Sequence, residues 1–251
     1  MVPVSPDFPD LAALFQAPSR SLLDLARSAW SLVIIGRQGS GRTTALAMLA
    51  IYAARLEPEY FSRAITPIFL HAGNLNLAGS KNRAAAEVLF EAAAETLTNF
   101  SIGMPTRNLA RALKDKTALV LLDGWDDLPV SAGAAAVGWL RSFREDYPDV
   151  RVIAAGPLQG YDSFQELGLT PVIQGGGTDD DNHQMVRRWV AVWETLLAAR
   201  KLPKDDIDPA MVAGWISGGT AGRLPYVITM KIWGGLAGDV EGPRRVDWFA
   251  S

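Results

Sequence analysis

The stretch LVIIGRQGSGRTTALAML, residues 32–49, limits the possible folds more than any other part of the chain. Four apolar residues run into a glycine-rich turn, and a helix-like run comes directly after it. The pattern G-x-x-x-x-G-[K]-[ST] extends from Gly36 to Thr43, with Arg42 in the lysine place. A strand that ends at Ile35, a sharp turn and a helix starting near Gly41 form one half of a strand–helix crossover. That unit belongs to sheets with helices packed on their faces.

The turn has a definite chemistry. A helix N-terminus carries unpaired N–H groups and about half a positive charge, which suits phosphate oxygens. Gly36, Gly39 and Gly41 omit Cβ atoms where backbone must wrap closely, and Arg37, Gln38 and Ser40 complete the wrap. The Thr43 hydroxyl is placed to ligate Mg²⁺, and Thr44 to close the turn. Arg42 keeps the lysine's charge but spreads it over a planar fork, which can clamp phosphate oxygens yet is too wide for a narrow slot. The plain alternative is a glycine-rich turn that holds nothing.

The rest of the chain repeats the alternation. Strands are expected at Leu32–Ile35, Pro67–Leu70, Ala118–Leu122, Val150–Ala155 and Pro171–Ile173, and helices at 42–55, 83–99, 133–146 and briefly at 161–167. Leu89, Ala93, Leu97 and Phe100 recur at helical spacing and mark one buried face. The resulting class is α/β with a parallel sheet between helical layers. After residue 174 the pattern changes: QGGGTDDD breaks the chain and caps a helix at Thr178 or Asp179, with Met185, Trp189, Trp193 and Leu196 on one face. Pro225 stands in the first turn of a further helix, RLPYVITMKIW. The expected organisation is a helical lead-in over 1–27, a phosphate-loop domain over 28–175 and a small helical subdomain over 176–251. PRRVDWFAS begins another helix, so the chain reads as part of a longer protein.

A second motif supports the first. In ALVLLDGWDDLP, residues 118–129, Asp123 ends a run of five apolar residues, eighty positions after Thr43. Ligands of open α/β sheets bind beyond the carboxyl ends of the strands, where Asp123 can hold Mg²⁺ through water. Asp126 and Asp127 come soon enough after it to sense a terminal phosphate or to position a water. The bland reading is a strand ended by an Asx turn with exposed acids.

Composition closes other routes. The chain of 251 residues has a net charge of −3 and 20% charged residues, so no basic field points to nucleic acid. Cysteine is absent, which excludes disulfides and thiolate chemistry, and only His71 and His183 bear imidazole. His71 is expected to be a satisfied loop residue and His183 to be exposed. The longest apolar run, residues 45–54, is about half of a membrane span. The N-terminus has no signal-peptide pattern, so a cytoplasmic location is expected, with no membrane partner. Most of the eight tryptophans are expected in the core, with Trp125 turned towards the nucleotide pocket.

VIIGRQGSGRTTALAMLA, PIFLHAGNL and LVLLDGWDDLP together resemble the NACHT family of signalling NTPases within the STAND group. The resemblance covers residues 28–240 and implies a P-loop NTPase fold with sheet order 5-1-4-3-2. It also implies ATP or ADP with Mg²⁺ as ligands, self-association, and fused sensor or effector domains. By the same resemblance Pro225 lies against the adenine. Two positions depart from the family: Arg42 replaces lysine, and Ala155 and Gly156 stand where a polar residue and an arginine are usual. Without those cations, hydrolysis is expected to be slow while binding survives. The alternatives are a scaffold that has lost productive nucleotide binding, and an active ATPase that remodels nucleic acid or protein.

Overall fold

The computed structural model describes residues 20–78, 83–97, 105–175, 179–201 and 224–237. Five strands form one parallel sheet: β1 (Leu32–Ile35), β2 (Thr66–His71), β3 (Ala118–Asp123), β4 (Arg151–Gly156) and β5 (Thr170–Ile173). Their order across the sheet is 5-1-4-3-2, with a glycine loop leading from β1 into a helix. This is the α/β fold of P-loop NTPases. Each expected strand is present, with ends shifted by one residue at most.

The period-2 rule divides the core into two layers. Val33, Ile35, Ile68, Leu70, Val120, Leu122, Val152 and Ala154 face one side of the sheet. Helices α3 (Ala85–Leu97), α4 (Pro105–Lys114), α5 (Val130–Asp146) and α6 (Asp162–Glu166) supply the buried residues there, among them Leu89, Leu113, Leu140 and Phe164. Leu32, Ile34, Leu119, Leu121, Ile153 and Ala155 face the other side, covered by α1 (Leu22–Arg27) and α2 (Arg42–Ala54). The run ALVLL is buried at all five positions, as a strand between two helical layers must be.

Arg151 anchors α1. Its guanidinium donates to the carbonyls of Trp30 (3.0 Å), Ala26 (2.8 Å) and Leu25 and to Ser28 Oγ (3.3 Å), so a cation meets the carbonyl end of the helix. Burial pulls its pKa down to about 10.

Three differences from the sequence expectations have local causes. The sequence pattern predicts no helix between residue 99 and β3, yet α4 lies there. Pro105 occupies its first position, where a missing N–H costs nothing, and its apolar stripe is only Leu109, Ala112 and Leu113. Helix α5 starts at Val130 because Pro129 already has the extended geometry of a cap. In α7 (Asp179–Ala199) the buried line is Val186, Val190 and Leu197, while Leu196 is 37% exposed. The compact valines pack against Ile228 and Ile232 of α8 (Pro225–Ala237), and Met185, Trp189 and Trp193 form the half-buried shoulder. Leu89 and Ala93 are buried as expected; Phe100 and the expected helix at the C-terminus lie outside the described residues.

Two compact units emerge. The first holds the described parts of 20–37 and 42–174, and the second holds 38–41 with the described parts of 175–237. The second unit has its own core of Val186, Val190, Ile228, Ile232 and Leu236.

Candidate functional site

The loop after β1 has the backbone that its glycines permit. Gly39 and Gly41 have φ of +81° and +92°, in the left-handed region that disfavours side chains. Successive N–H groups in such a turn form an anion-binding concavity. Gly36 and Ser40 are buried, whereas Arg37, Gln38, Thr43 and Thr44 are exposed to differing degrees. Ser40 is only 1% exposed, and among the described residues its hydroxyl has no hydrogen-bond partner. A buried orphan hydroxyl is costly and suits an acceptor oxygen supplied from outside. The loop therefore fits a phosphate group on its own geometry.

Helix α2 opens at Arg42 with no acidic residue in its first turn. The Arg42 guanidinium leaves the helix and reaches across the carboxyl end of β4. There Nη1 donates to the Gly156 carbonyl, and Nη2 donates to Asp126 Oδ2 at 2.5 Å. Arg42 thus ties together α2, β4 and the turn after β3. Its side chain is 11% exposed and that of Asp126 is 34% exposed, so the ion pair is partly shielded from water.

Gly156 shows why no arginine stands at the end of β4. A Cβ there would lie 2.6 Å from Val33 Cγ2, with Phe164 and Ile35 next nearest. The side-chain direction there points into the core.

Asp123 is half-buried at the end of β3, opposite His71 at the end of β2 in the register. Among the described residues, no hydrogen bond joins Thr43 to Asp123, nor is there a cluster of three or more His, Asp or Glu side chains able to hold a metal by themselves. A cation at this point would need phosphate oxygens as further ligands beside Thr43 and Asp123, which is how Mg²⁺ is held with nucleotides.

Gly124 then turns the chain at φ +70° into a short 3₁₀ turn, Trp125–Asp127. The ring of His71 lies where a Cβ of Gly124 would be, 1.9 Å from it at Nε2. Gly73 N–H donates to His71 Nδ1 (3.1 Å), which assigns the remaining ring proton to Nε2 in the neutral imidazole. Nε2 faces Asp127 Oδ2 at 3.3 Å. Of the two downstream acids, Asp126 is bonded to Arg42 and Asp127 to His71. His71 is thus satisfied at both ring nitrogens, as the last residue of β2 rather than in a loop. Both β2 and β3 end on the same edge, so His71 as the last residue of β2 was the available signal.

Trp125 does not face the loop. It is 6% exposed, sits in the core and meets Phe164 edge-to-face at 4.8 Å. The 3₁₀ turn sends the first of its three side chains inward and leaves the two acids outside. Trp139 is buried, with its indole N–H on the Ala85 carbonyl at 3.0 Å. Trp30 and Trp233, both expected in the core, are 62% and 45% exposed. Trp233 packs edge-to-face on Trp189 and Trp193. His183 is exposed, as expected.

Pro225 is the first residue of α8. Within the second unit, Tyr226 N–H donates to the Gly39 carbonyl at 3.2 Å, and a Cβ on Gly39 would approach Tyr226 Cβ to 2.8 Å. No described helix is long and apolar enough to cross a membrane.

No protein-family model matches this sequence, and no curated protein matches it significantly. Among solved structures the chain is similar to the ORC2 protein of Aeropyrum pernix, determined as ADPNP–ADP complexes. Identity is 15% and the TM-score 0.45, over 91% of this chain and 64% of that one. It is also similar to PCH-2 of C. elegans, with 10% identity and a TM-score of 0.41, over 91% of this chain and 69% of that one. The chain thus spans 64% of the ORC2 chain it matches.

Proposed function

We propose that this chain is a NACHT-like switch module that binds ATP or ADP in the Gly36–Thr44 loop and hydrolyses ATP slowly at most. The observation that carries the reading is the loop itself: two glycines in left-handed geometry flank a buried hydroxyl without a partner among the described residues, at the start of a 13-residue helix. Asp123 at the carboxyl end of β3 adds the acid that a nucleotide-bound Mg²⁺ needs. Thr43 and Asp123 would hold that ion, which would supply charge neutralisation of the phosphates. Loop N–H groups would bind the phosphate oxygens, and Pro225, next to the Gly39-bonded Tyr226, would lie by the base.

Slow turnover is expected from where the cations stand. Arg42 is held by Asp126 and by the Gly156 carbonyl, and the side-chain direction at Gly156 leads into the core. Phosphoryl transfer depends on positioned positive charge, and an arginine finger alone is worth about 10³-fold or more. In this reading Asp126 and Asp127 would be the acids that sense the terminal phosphate or orient water. The biological role we assign is control of conformation or assembly, through self-association or fused sensor and effector domains, in a cytoplasmic signalling or defence protein. ATP rather than GTP rests on the NACHT resemblance.

One observation favours a second reading. The Arg42 cross-link satisfies the cation of the loop without any ligand, as a pure interaction scaffold would require. Titration calorimetry with Mg-ATP and Mg-ADP separates the two. The switch reading expects binding that weakens at least ~10-fold in Thr43→Ala and Asp123→Ala. Absence of heat with folded wild-type protein would leave the scaffold.

A further inference from the structure

We propose that the Arg42–Asp126 ion pair is a latch on the phosphate loop, closed when no phosphate is bound and opened by competition for one guanidinium. The proposal rests on the reading of the loop as a nucleotide site and adds the regulation of that site.

Three facts carry it. Arg42 is the first residue of α2, where a cation faces the positive end of the helix dipole, and no acidic side chain of that turn offsets it. The compensation comes from 84 residues away, through Asp126 Oδ2 at 2.5 Å, with the Gly156 carbonyl as second acceptor. Each terminal nitrogen of the fork thus has one acceptor, which fixes the direction of the guanidinium, so a phosphate that draws it towards the loop must displace those acceptors.

A phosphate chain in the loop brings several negative charges to the same helix end. It attracts the guanidinium and repels the Asp126 carboxylate, so the two anions compete for one cation. Release of Asp126 removes one of the ties on the turn Trp125–Asp127, which leads through Pro129 into α5. Occupancy of the loop is thereby coupled to the β3–α5 connection. By linkage, whatever holds Asp126 on Arg42 weakens phosphate binding to the same degree.

The test is calorimetry of ADP and of inorganic pyrophosphate in EDTA, so that no metal bridges the acids, with wild type and Asp126→Asn. The near-isosteric amide removes the competing charge at a side chain 34% exposed. The latch predicts binding about 3- to 10-fold tighter in Asp126→Asn, the range of a partly exposed ion pair. Equal or weaker binding overturns it. A stability cycle of Arg42→Gln and Asp126→Asn in phosphate-free buffer is independent of nucleotide. Favourable coupling supports a closed latch, and zero coupling overturns it. If neither protein binds either ligand in EDTA, nor Mg-ADP once magnesium is restored, although coupling is present, the nucleotide reading fails, and the latch loses its function with it.

Discussion

Gly124→Ala tests the geometry of the acidic turn most severely. Gly124 has φ +70°, and left-handed geometry costs an alanine about 1–2 kcal/mol. The new Cβ would also lie 1.9 Å from His71 Nε2, far inside contact distance, so the ring must swing away. The ring is 43% exposed and can move, so the clash itself relaxes. What is lost is the hydrogen bond to Asp127, which is 71% exposed, and the one from Gly73 N–H; together they are worth about 1 kcal/mol. The expected destabilisation is about 2–3 kcal/mol in urea unfolding at unchanged m-value. In a His71→Ala background only the backbone strain remains, and the same change should cost about 1 kcal/mol less. Equal cost in both backgrounds would refute the placement of His71 over Gly124.

Three further outcomes are set by the packing and the caps. Gly156→Ala should destabilise by about 1–3 kcal/mol through overpacking against Val33 Cγ2, and Val33→Ala should relieve most of that cost in the double variant, as measured by chemical unfolding. Trp139→Ala should cost about 3–5 kcal/mol, and Trp139→Phe about 1–2, because the phenyl ring fills the site but leaves the Ala85 carbonyl without its donor. Asp24 should titrate below the usual 3.8, since the Ser21 backbone N–H and then the Ser21 hydroxyl bond to its carboxylate. Its pKa is depressed on folding, so its stabilising contribution is complete above 3.8 and is lost as pH falls through the folded value. Carboxyl-carbon NMR should show Ser21→Ala moving it only part of the way back, because the backbone bond remains.

The sheet was legible because its signal is local. Runs such as LVII and ALVLL are apolar at every position, and the glycine loop dictates a helix directly after β1. Strand order came from the resemblance rather than from periodicity, which does not say which strands are neighbours. Helix α4 was hidden because its arginines and lysine interrupt a stripe of only three apolar residues. Candidate residues of the loop and the acidic motif were found from spacing alone, but their pairing was not. Arg42 meets Asp126 and Gly156 across 84 and 114 residues, and His71 meets Asp127 across 56. Trp125 misled because its neighbours are acids; a 3₁₀ turn points adjacent residues in different directions, and the indole took the inward one.

The central claim is that the Gly36–Thr44 loop holds nucleotide phosphates. Backbone hydrogen exchange of the purified chain, with and without Mg-ADP, tests it at single-segment resolution. The account predicts slowed exchange of the amides from Gly39 to Thr44, with a smaller change at Asp123–Asp127 as Asp126 is released. Unchanged exchange throughout the loop at millimolar Mg-ADP would contradict it.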